Sequence, residues 1–233
     1  EIAELGRAFN QLLDEIQASR EDQVRLVRDA GHELRTPLTA LRTNIEILQR
    51  HEVDEEDRRA MLAAAHAEVE ELSTLVTEVV DLATDRYEEE PTSSIVLGDV
   101  VASVAERIER RNGRRLEIAD DGSLVVGKAA ALERAITNIV TNADKWSPAG
   151  DTIRVAIAAG CVTVTDTGPG FEPDDIDHVF ERFYRSSDAR STPGSGLGLA
   201  IVAQVALDHG GEVFARNRSD TSGAVVGLCL PGA

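Results

Sequence analysis

Cysteine is nearly missing from this chain, positive charge is outweighed, and no apolar run is long. The two cysteines, Cys161 and Cys229, each sit in an alternating apolar stretch. They read as small buried side chains of a reducing compartment, and neither a disulfide nor a metal pair is expected. Lysine and arginine number 24 against 42 acidic residues, a formal net charge of -18, which disfavours nucleic acid and anionic membrane surfaces as partners. A phosphate-bearing ligand must then be held by local groups. No stretch is long and apolar enough to cross a bilayer, and no signal peptide is recognisable. The sequence opens with Glu1 and its only methionine is Met61, so it reads as a fragment whose membrane contact, if any, runs through upstream segments.

What is present is a core-forming composition with two periodicities. At 233 residues, 42% of them hydrophobic, the chain can hold one ordinary domain and a smaller one. Residues 1–20 read as the tail of an upstream signalling helix. From about Leu12 to Arg50 the pattern is helical, and Val27, Gly31, Leu34, Leu38, Leu41, Ile45 and Leu48 step by alternating fours and threes, a heptad seam. After a polar turn from His51 to Glu56, where Asp54 suits a helix start, Leu62, Ala65, Val69, Leu72, Val76, Val79 and Ala83 repeat the pattern. Residues 21–88 therefore predict an antiparallel helical hairpin. One hairpin leaves much of its stripe wet, so two chains are expected to close a four-helix bundle as a homodimer.

Glu88, Glu89, Glu90, Pro91, Thr92 and Ser93 break the helical pattern and read as a hinge. Residues 89–233 form the second domain. Strand-like runs at Ile95 to Leu97, Arg115 to Ile118, Ile153 to Ala158, Val162 to Thr165, Glu212 to Ala215 and Ala224 to Leu230 alternate with helical ones at Asp99 to Arg111, Ala130 to Trp146 and Leu197 to His209. The fold class is α+β: a helical hairpin followed by an α/β sandwich.

His32 lies two residues before the seam position Leu34, about 200° around the helix, so its ring is expected to point away from the bundle core. An unperturbed imidazole titrates at about 6.5, and its neutral form is a nucleophile once one nitrogen is freed of its proton. Glu33 is placed to take a hydrogen bond or the proton from the other nitrogen. Thr36, one turn on, presents a hydroxyl that can orient water for the reverse hydrolysis. Pro37 removes a helical hydrogen bond and clashes with the carbonyl of residue 33, at about 3 kcal/mol, which predicts a kink below His32. The other histidines, His51, His66, His178 and His209, read as bystanders on exposed faces.

Asn138 and Asn142 stand four apart on one helix face. Asparagine weakens a helix unless it finds a partner, so the pair suits oxygen ligands for magnesium with a triphosphate completing the shell, although a solvated face fits the same letters. Lys145 continues the phosphate side, and Trp146 can lie against a purine. Asp166 ends an apolar strand and is followed by Thr167, Gly168, Pro169 and Gly170. Its carboxylate either receives an adenine amino group or accepts local amides in a turn. Gly194, Gly196 and Gly198, with Leu197 and Leu199, precede an apolar helix whose amino end can hold phosphate oxygens. Between the glycine turns, Phe180, Arg182, Phe183, Tyr184 and Arg185 form a loop long enough to be a lid, with Phe180 and Phe183 as its core anchors. Gly122 to Ala129 imitates a Walker A loop, but Ala129 stands where a hydroxyl is needed. The glycine spacing near Gly196 is also wrong for a dinucleotide fold.

These segments together resemble a bacterial sensor histidine kinase. AGHELRTPLTALR is similar to the H box, NIVTNADKW to the N box, DTGPG to the G1 box, FERFYR to the F box and GSGLGLAI to the G2 box, five boxes in family order. EIAELGRAFNQLLDEI is similar to the end of a HAMP linker, and the H-box region is most similar to actinobacterial sensors of the MprB type. The resemblance implies a GHKL (Bergerat-type) ATP-binding domain and an ATP-dependent protein-histidine kinase that phosphorylates His32 and passes the phosphoryl group to an aspartate of a response regulator. It implies Glu33 as acid/base partner, Thr36 as phosphatase residue, and Asn138 and Asn142 as magnesium ligands. Asp166 is implied at adenine, Gly168 and Gly170 as shaping its turn, and Gly196, Leu197 and Gly198 at the triphosphate. Two letters depart from the pattern. Lys128 stands where an acidic residue is common, and Asp144 adds a carboxylate beside the expected phosphates, either weakening ATP binding or facing solvent. A GHKL ATPase clamp would share the glycine and asparagine elements but has no use for HELRTP on a hairpin. A non-catalytic docking module has no use for the intact pocket letters.

Overall fold

The computed structural model describes residues 2–50, 54–83, 90–186 and 194–232. His51, Glu52 and Val53 of the expected turn and Glu88 and Glu89 of the expected hinge lie outside them. The described residues form two compact units.

In the first unit, α1 spans Ile2–Arg50 and α2 spans Glu55–Ala83. Asp54 starts α2 as expected, its Oδ1 accepting the amides of Glu56 and Asp57 at 3.0 and 2.9 Å. Glu55, Glu56 and Asp57 complete an acidic first turn that complements the helix dipole. α1 runs through Pro37 without interruption, with Thr39 and Thr43 hydroxyls bonded back to the carbonyls of Arg35 and Thr39. The burial of the hairpin follows the heptad seam in part. Among the described side chains Leu26, Ala30 and Leu75 are buried and the seam positions Leu34, Leu41, Leu48, Leu72 and Val79 are half-buried, whereas Val27, Leu38, Ile45, Leu62, Val69 and Val76 stay exposed. One edge of the stripe meets the other helix and the other edge stays open, as in a stripe broad enough for two neighbours.

The second unit opens with β1 (Ser93–Val96) and α3 (Leu97–Asn112). It continues through β2 (Leu116–Asp120), β3 (Leu124–Gly127), α4 (Ala129–Trp146), β4 (Ile153–Ala158), β5 (Cys161–Thr165), α5 (Gly198–Asp208), β6 (Glu212–Asn217) and β7 (Ala224–Cys229). Five strands form a mixed sheet in the order β2-β4-β5-β7-β6, parallel only between β2 and β4. β1 and β3 form a separate antiparallel pair. In β4 the alternation is strict: Ile153, Val155 and Ile157 are buried and Arg154, Ala156 and Ala158 are exposed, so helices cover one face only. The cover is made by Val101, Val104 and Ile108 of α3, Leu132, Ile136, Ile139 and Val140 of α4, and Ile201, Val202 and Val205 of α5. The β4–β5 hairpin turns on Ala159 and Gly160, both at positive φ, the two-residue turn that matches strand twist.

Three expectations are corrected here. Cys161 and Cys229 are joined by a disulfide. They are directly opposite on β5 and β7, and the neighbouring Leu230 amide bonds to the Gly160 carbonyl, which makes theirs a non-hydrogen-bonded rung where side chains approach closely. Alternation places each cysteine on a strand, but register, which brings them together across 68 residues, is invisible in either strand alone. The Walker-like stretch holds the unexpected strand β3, and Lys128 is the N-cap of α4. His209 is no bystander: its Nε2 accepts the Lys128 amide at 3.0 Å and its Nδ1 donates to the Val205 carbonyl at 2.7 Å. Its ring occupies the space a side chain at Gly127 would fill.

Candidate functional site

α4 owes its placement to the apolar face just described, which leaves Asn138 and Asn142 half-buried one turn apart on its other side. The Nδ2 of Asn138 is buried without a hydrogen-bond partner, a situation that costs about 1–3 kcal/mol if nothing relieves it. As a donor that atom suits a phosphate oxygen, and with the amide turned over its oxygen suits a hard cation. Among the described residues no cluster of three or more histidine, cysteine or carboxylate side chains is arranged to hold a metal. A magnesium ion here would therefore need anionic oxygens from its own ligand beside the asparagines. Lys145 is exposed with its ammonium 5.0 Å from the centre of the Trp146 ring.

The amino end of α5 lies beside Asn138. A Cβ on Gly198 would sit 3.8 Å from Asn138 Oδ1. Leu197, the N-cap, is fully buried and offers no polar side-chain atom to the first-turn amides, whose dipole end favours an anion. Leu199 follows, half-buried, in that first turn, and Gly194 and Gly196 precede it at positive φ. Gly196 is required by its neighbour, since a Cβ there would come within 2.8 Å of the Phe183 backbone. Phe183 is itself at φ 62, and its amide donates to the Gly196 carbonyl.

Asp166 is 4% exposed at the end of β5. Its Oδ1 accepts the amides of Gly168 and Ala224 at 2.8 and 2.9 Å. The turn-forming reading of this aspartate is thus correct as far as one oxygen goes. The surrounding turn is held by residues that sequence reasoning passed over. Asn217 bonds both the amide and the carbonyl of Phe171 at 2.6 and 2.7 Å, and the Ser222 hydroxyl donates to the Gly168 carbonyl at 2.6 Å. Gly170, at φ 86, leaves no room for a Cβ beside Asn217 Oδ1. Arg218 stands beside Asp166 and bonds Asp220 at 2.7 Å, which holds the Asp220 carboxyl down at about 2.

The Phe180 to Arg185 stretch is half-buried apart from the exposed Glu181. Phe180 and Phe183 are therefore not the core anchors expected of them. The Tyr184 hydroxyl donates to Asp175 at 2.6 Å, and its ring lies 5.5 Å from that of His178. His178 Nδ1 is 2.6 Å from Glu181 Oε1, and that hydrogen bond, with the Glu181 charge, raises the imidazole above its ordinary range. Arg182 and Arg185 lie half-buried on the same loop.

Asp144 neither crowds the asparagine face nor faces open solvent. Its Oδ1 receives the Arg114 Nε at 2.6 Å and its Oδ2 receives Asn112 Nδ2 at 2.5 Å. Arg114 was hidden in the run RRNGRR, where any one arginine reads as solvated. In the helical unit, His32, Glu33 and Thr36 are all exposed on α1, in agreement with the helical projection of His32.

Fold and site define an α/β sandwich of the GHKL nucleotide-binding class, following a helical hairpin that carries an exposed histidine. Residues 127–233 match the family of histidine kinase-, DNA gyrase B- and HSP90-like ATPases, and residues 22–88 match the His Kinase A phospho-acceptor domain. The chain belongs to the sensor histidine kinases and is similar to MprB. The signal transduction histidine-protein kinase/phosphatase MprB of Mycolicibacterium vanbaalenii is 42% identical over 247 residues, covering 100% of this chain and 51% of that protein. The Mycobacterium leprae protein of that name is also 42% identical and is covered to 48%. The chain thus spans about half the length of the curated relatives it matches. A solved structure of mycobacterial sensor histidine kinase MprB superposes with a TM-score of 0.56 at 39% identity, over 60% of this chain and 98% of that one. Acinetobacter baumannii histidine kinase AdeS, at 22% identity and a TM-score of 0.62 over 85% of this chain and 98% of that one, shares the fold.

Proposed function

We propose that this chain is the cytoplasmic kinase portion of a membrane-anchored two-component sensor, and that it transfers the γ-phosphoryl group of ATP to His32. The observation that carries this reading is the presence, in one chain, of an exposed imidazole on a phospho-acceptor hairpin and a nucleotide cradle whose buried Asp166 keeps one carboxylate oxygen beyond those amide bonds.

Asp166 would accept the adenine amino group, with Trp146 against the purine and Gly168 and Gly170 giving the turn its shape. The amides from Gly194 to Leu199 would hold the phosphates, and Lys145, Arg182 and Arg185 would neutralise them. Asn138 and Asn142 would hold a magnesium ion, which when bound screens the charge of the triphosphate. In the transfer, a ring nitrogen of His32 bonds to the γ-phosphorus as the bond to the β,γ-bridging oxygen breaks. ADP leaves with that electron pair, and Glu33 takes the proton from the other ring nitrogen. The phosphoramidate then passes its phosphoryl group to an aspartate of a response regulator, and Thr36 orients water for the opposing phosphatase reaction. The exposed apolar side chains of α1 and α2 call for a second copy, closing a dimeric four-helix bundle. Residues 1–20, 21–88 and 89–233 serve as linker helix, phosphotransfer hairpin and ATP-binding domain.

Incubation with γ-labelled ATP tests this reading. Label should enter wild-type chain and leave on acid treatment, whereas a His32→Gln chain should bind ATP and stay unlabelled. Steady phosphate release with no protein-bound label would instead indicate a GHKL ATPase.

A further inference from the structure

Arg114 is the one arginine of its run whose side chain is nearly buried, 9% exposed. Its Nε donates to Asp144 Oδ1 at 2.6 Å, and its Nη1 to the carbonyls of Pro148 and Asp151 at 2.6 and 2.8 Å. Its Nη2 donates to the carbonyls of Asp144 and Ser147, both at 3.3 Å. These five acceptors match the five N–H donors of a guanidinium.

Two of them, the carbonyls of Asp144 and Ser147, belong to the carboxyl end of α4, where helical donors have run out and a cation complements the dipole. The other two carbonyls fix the loop from residue 148 to residue 151. That end of α4 and its loop in turn hold the turn after Asp166. Asp151 Oδ2 accepts the Thr167 hydroxyl at 2.7 Å, and Ser147 Oγ accepts the Thr167 amide at 3.5 Å. The Trp146 carbonyl lies 2.8 Å from where a Cβ on Gly168 would stand, so these segments meet backbone to backbone.

We propose that Arg114 is a positioning residue for the nucleotide site. One guanidinium sets the spacing between the helix bearing Asn138 and Asn142 and the turn that follows Asp166, so the phosphate end and the adenine end of one ATP reach their partners together. The proposal rests on the ATP reading above. Asp144 then has a defined task, to align and neutralise Arg114. Lysine cannot substitute, because a compact ammonium with three donors does not reach the five acceptors of a planar fork.

The test uses the whole chain with Arg114→Lys and Asp144→Asn. Arg154→Lys, whose partner Glu117 lies on the exposed sheet face, is the control. Trp146 is the only tryptophan, so its emission reads this loop before any nucleotide is added. Arg114→Lys should remain folded by far-ultraviolet circular dichroism, show a red-shifted emission, and bind magnesium–ATP roughly ten- to a hundredfold more weakly in calorimetry. Its KM for ATP should rise more than the saturated rate falls. Asp144→Asn should move the same way by less, and Arg154→Lys should not move. Wild-type emission and wild-type affinity in Arg114→Lys overturn the proposal, and if that chain does not fold, Asp144→Asn decides by the same readouts. A wild-type chain that ignores magnesium–ATP contradicts the nucleotide reading itself, and the emission shift then still decides whether Arg114 sets this loop.

Discussion

Asp166 Oδ1 accepts the backbone amide of Ala224 at 2.9 Å, so the carboxylate at the end of β5 is oriented by the first residue of β7. The same oxygen holds the Gly168 amide, which gives one oxygen a structural task and leaves the other for the proposed adenine contact. Substitutions should separate the two tasks. Asp166→Asn keeps an acceptor for the amides but turns an NH2 toward the adenine amino group. ATP affinity should then fall at least about tenfold, with stability changed by no more than about 1 kcal/mol. Asp166→Ala leaves two buried amides without a partner and should in addition lower stability by about 2–4 kcal/mol. Calorimetric titration and thermal melts check both, and equal ATP affinity in all three chains would contradict the division.

The disulfide between Cys161 and Cys229 fastens β5 to β7 at the opposite end from Asp166 and Ala224. At a sequence separation of 68, loop-closure entropy gives about 4 kcal/mol in the oxidised protein. Cys161→Ser should lose that amount in urea unfolding under oxidising conditions. The difference should shrink toward zero when both proteins are reduced.

His209 links α5 to the start of α4 by accepting the Lys128 amide. His209→Ala should cost about 2–3 kcal/mol, through the orphaned amide and the space opened beside Gly127. His66, exposed on α2, serves as the comparison, and His66→Ala should change stability by less than about 0.5 kcal/mol.

The pH response of the loop around His178 has a definite sign. The Glu181 hydrogen bond and charge raise the folded-state imidazole above 6.5. Stability from this pair is fully present below that ordinary value and is lost as pH rises through the higher folded value. Asp220 behaves in the opposite way. Arg218 holds it at about 2 against an ordinary 3.8, so its contribution is present above the ordinary value and disappears as pH falls through about 2. An NMR titration should place the His178 midpoint above the ordinary 6.5, and Glu181→Gln should lower it.

Much of this architecture was readable because its elements announce themselves locally. The strict alternation of Ile153, Val155 and Ile157 gave β4 to the residue, and the four-residue spacing of Asn138 and Asn142 placed both on one face of α4. The strand β3 was not readable, since four residues inside a glycine–lysine pattern carry too little periodicity to compete with a loop. The remaining misses depend on tertiary register. Nothing near Cys161 points to Cys229, nothing in RRNGRR singles out Arg114, and nothing beside Asp144 shows that it turns to that arginine. His209 was passed over for the same reason, because its acceptor role exists only once α5 lies beside β3.

The central claim is that His32 is the residue that carries phosphate, and it is tested most directly by locating the modification. After brief exposure of the whole chain to magnesium–ATP, mass spectrometry under neutral conditions should find a single phosphoryl group on the peptide containing His32, absent from the Asp166→Ala chain. Phosphate on another residue, or on His32 regardless of Asp166, would contradict the account.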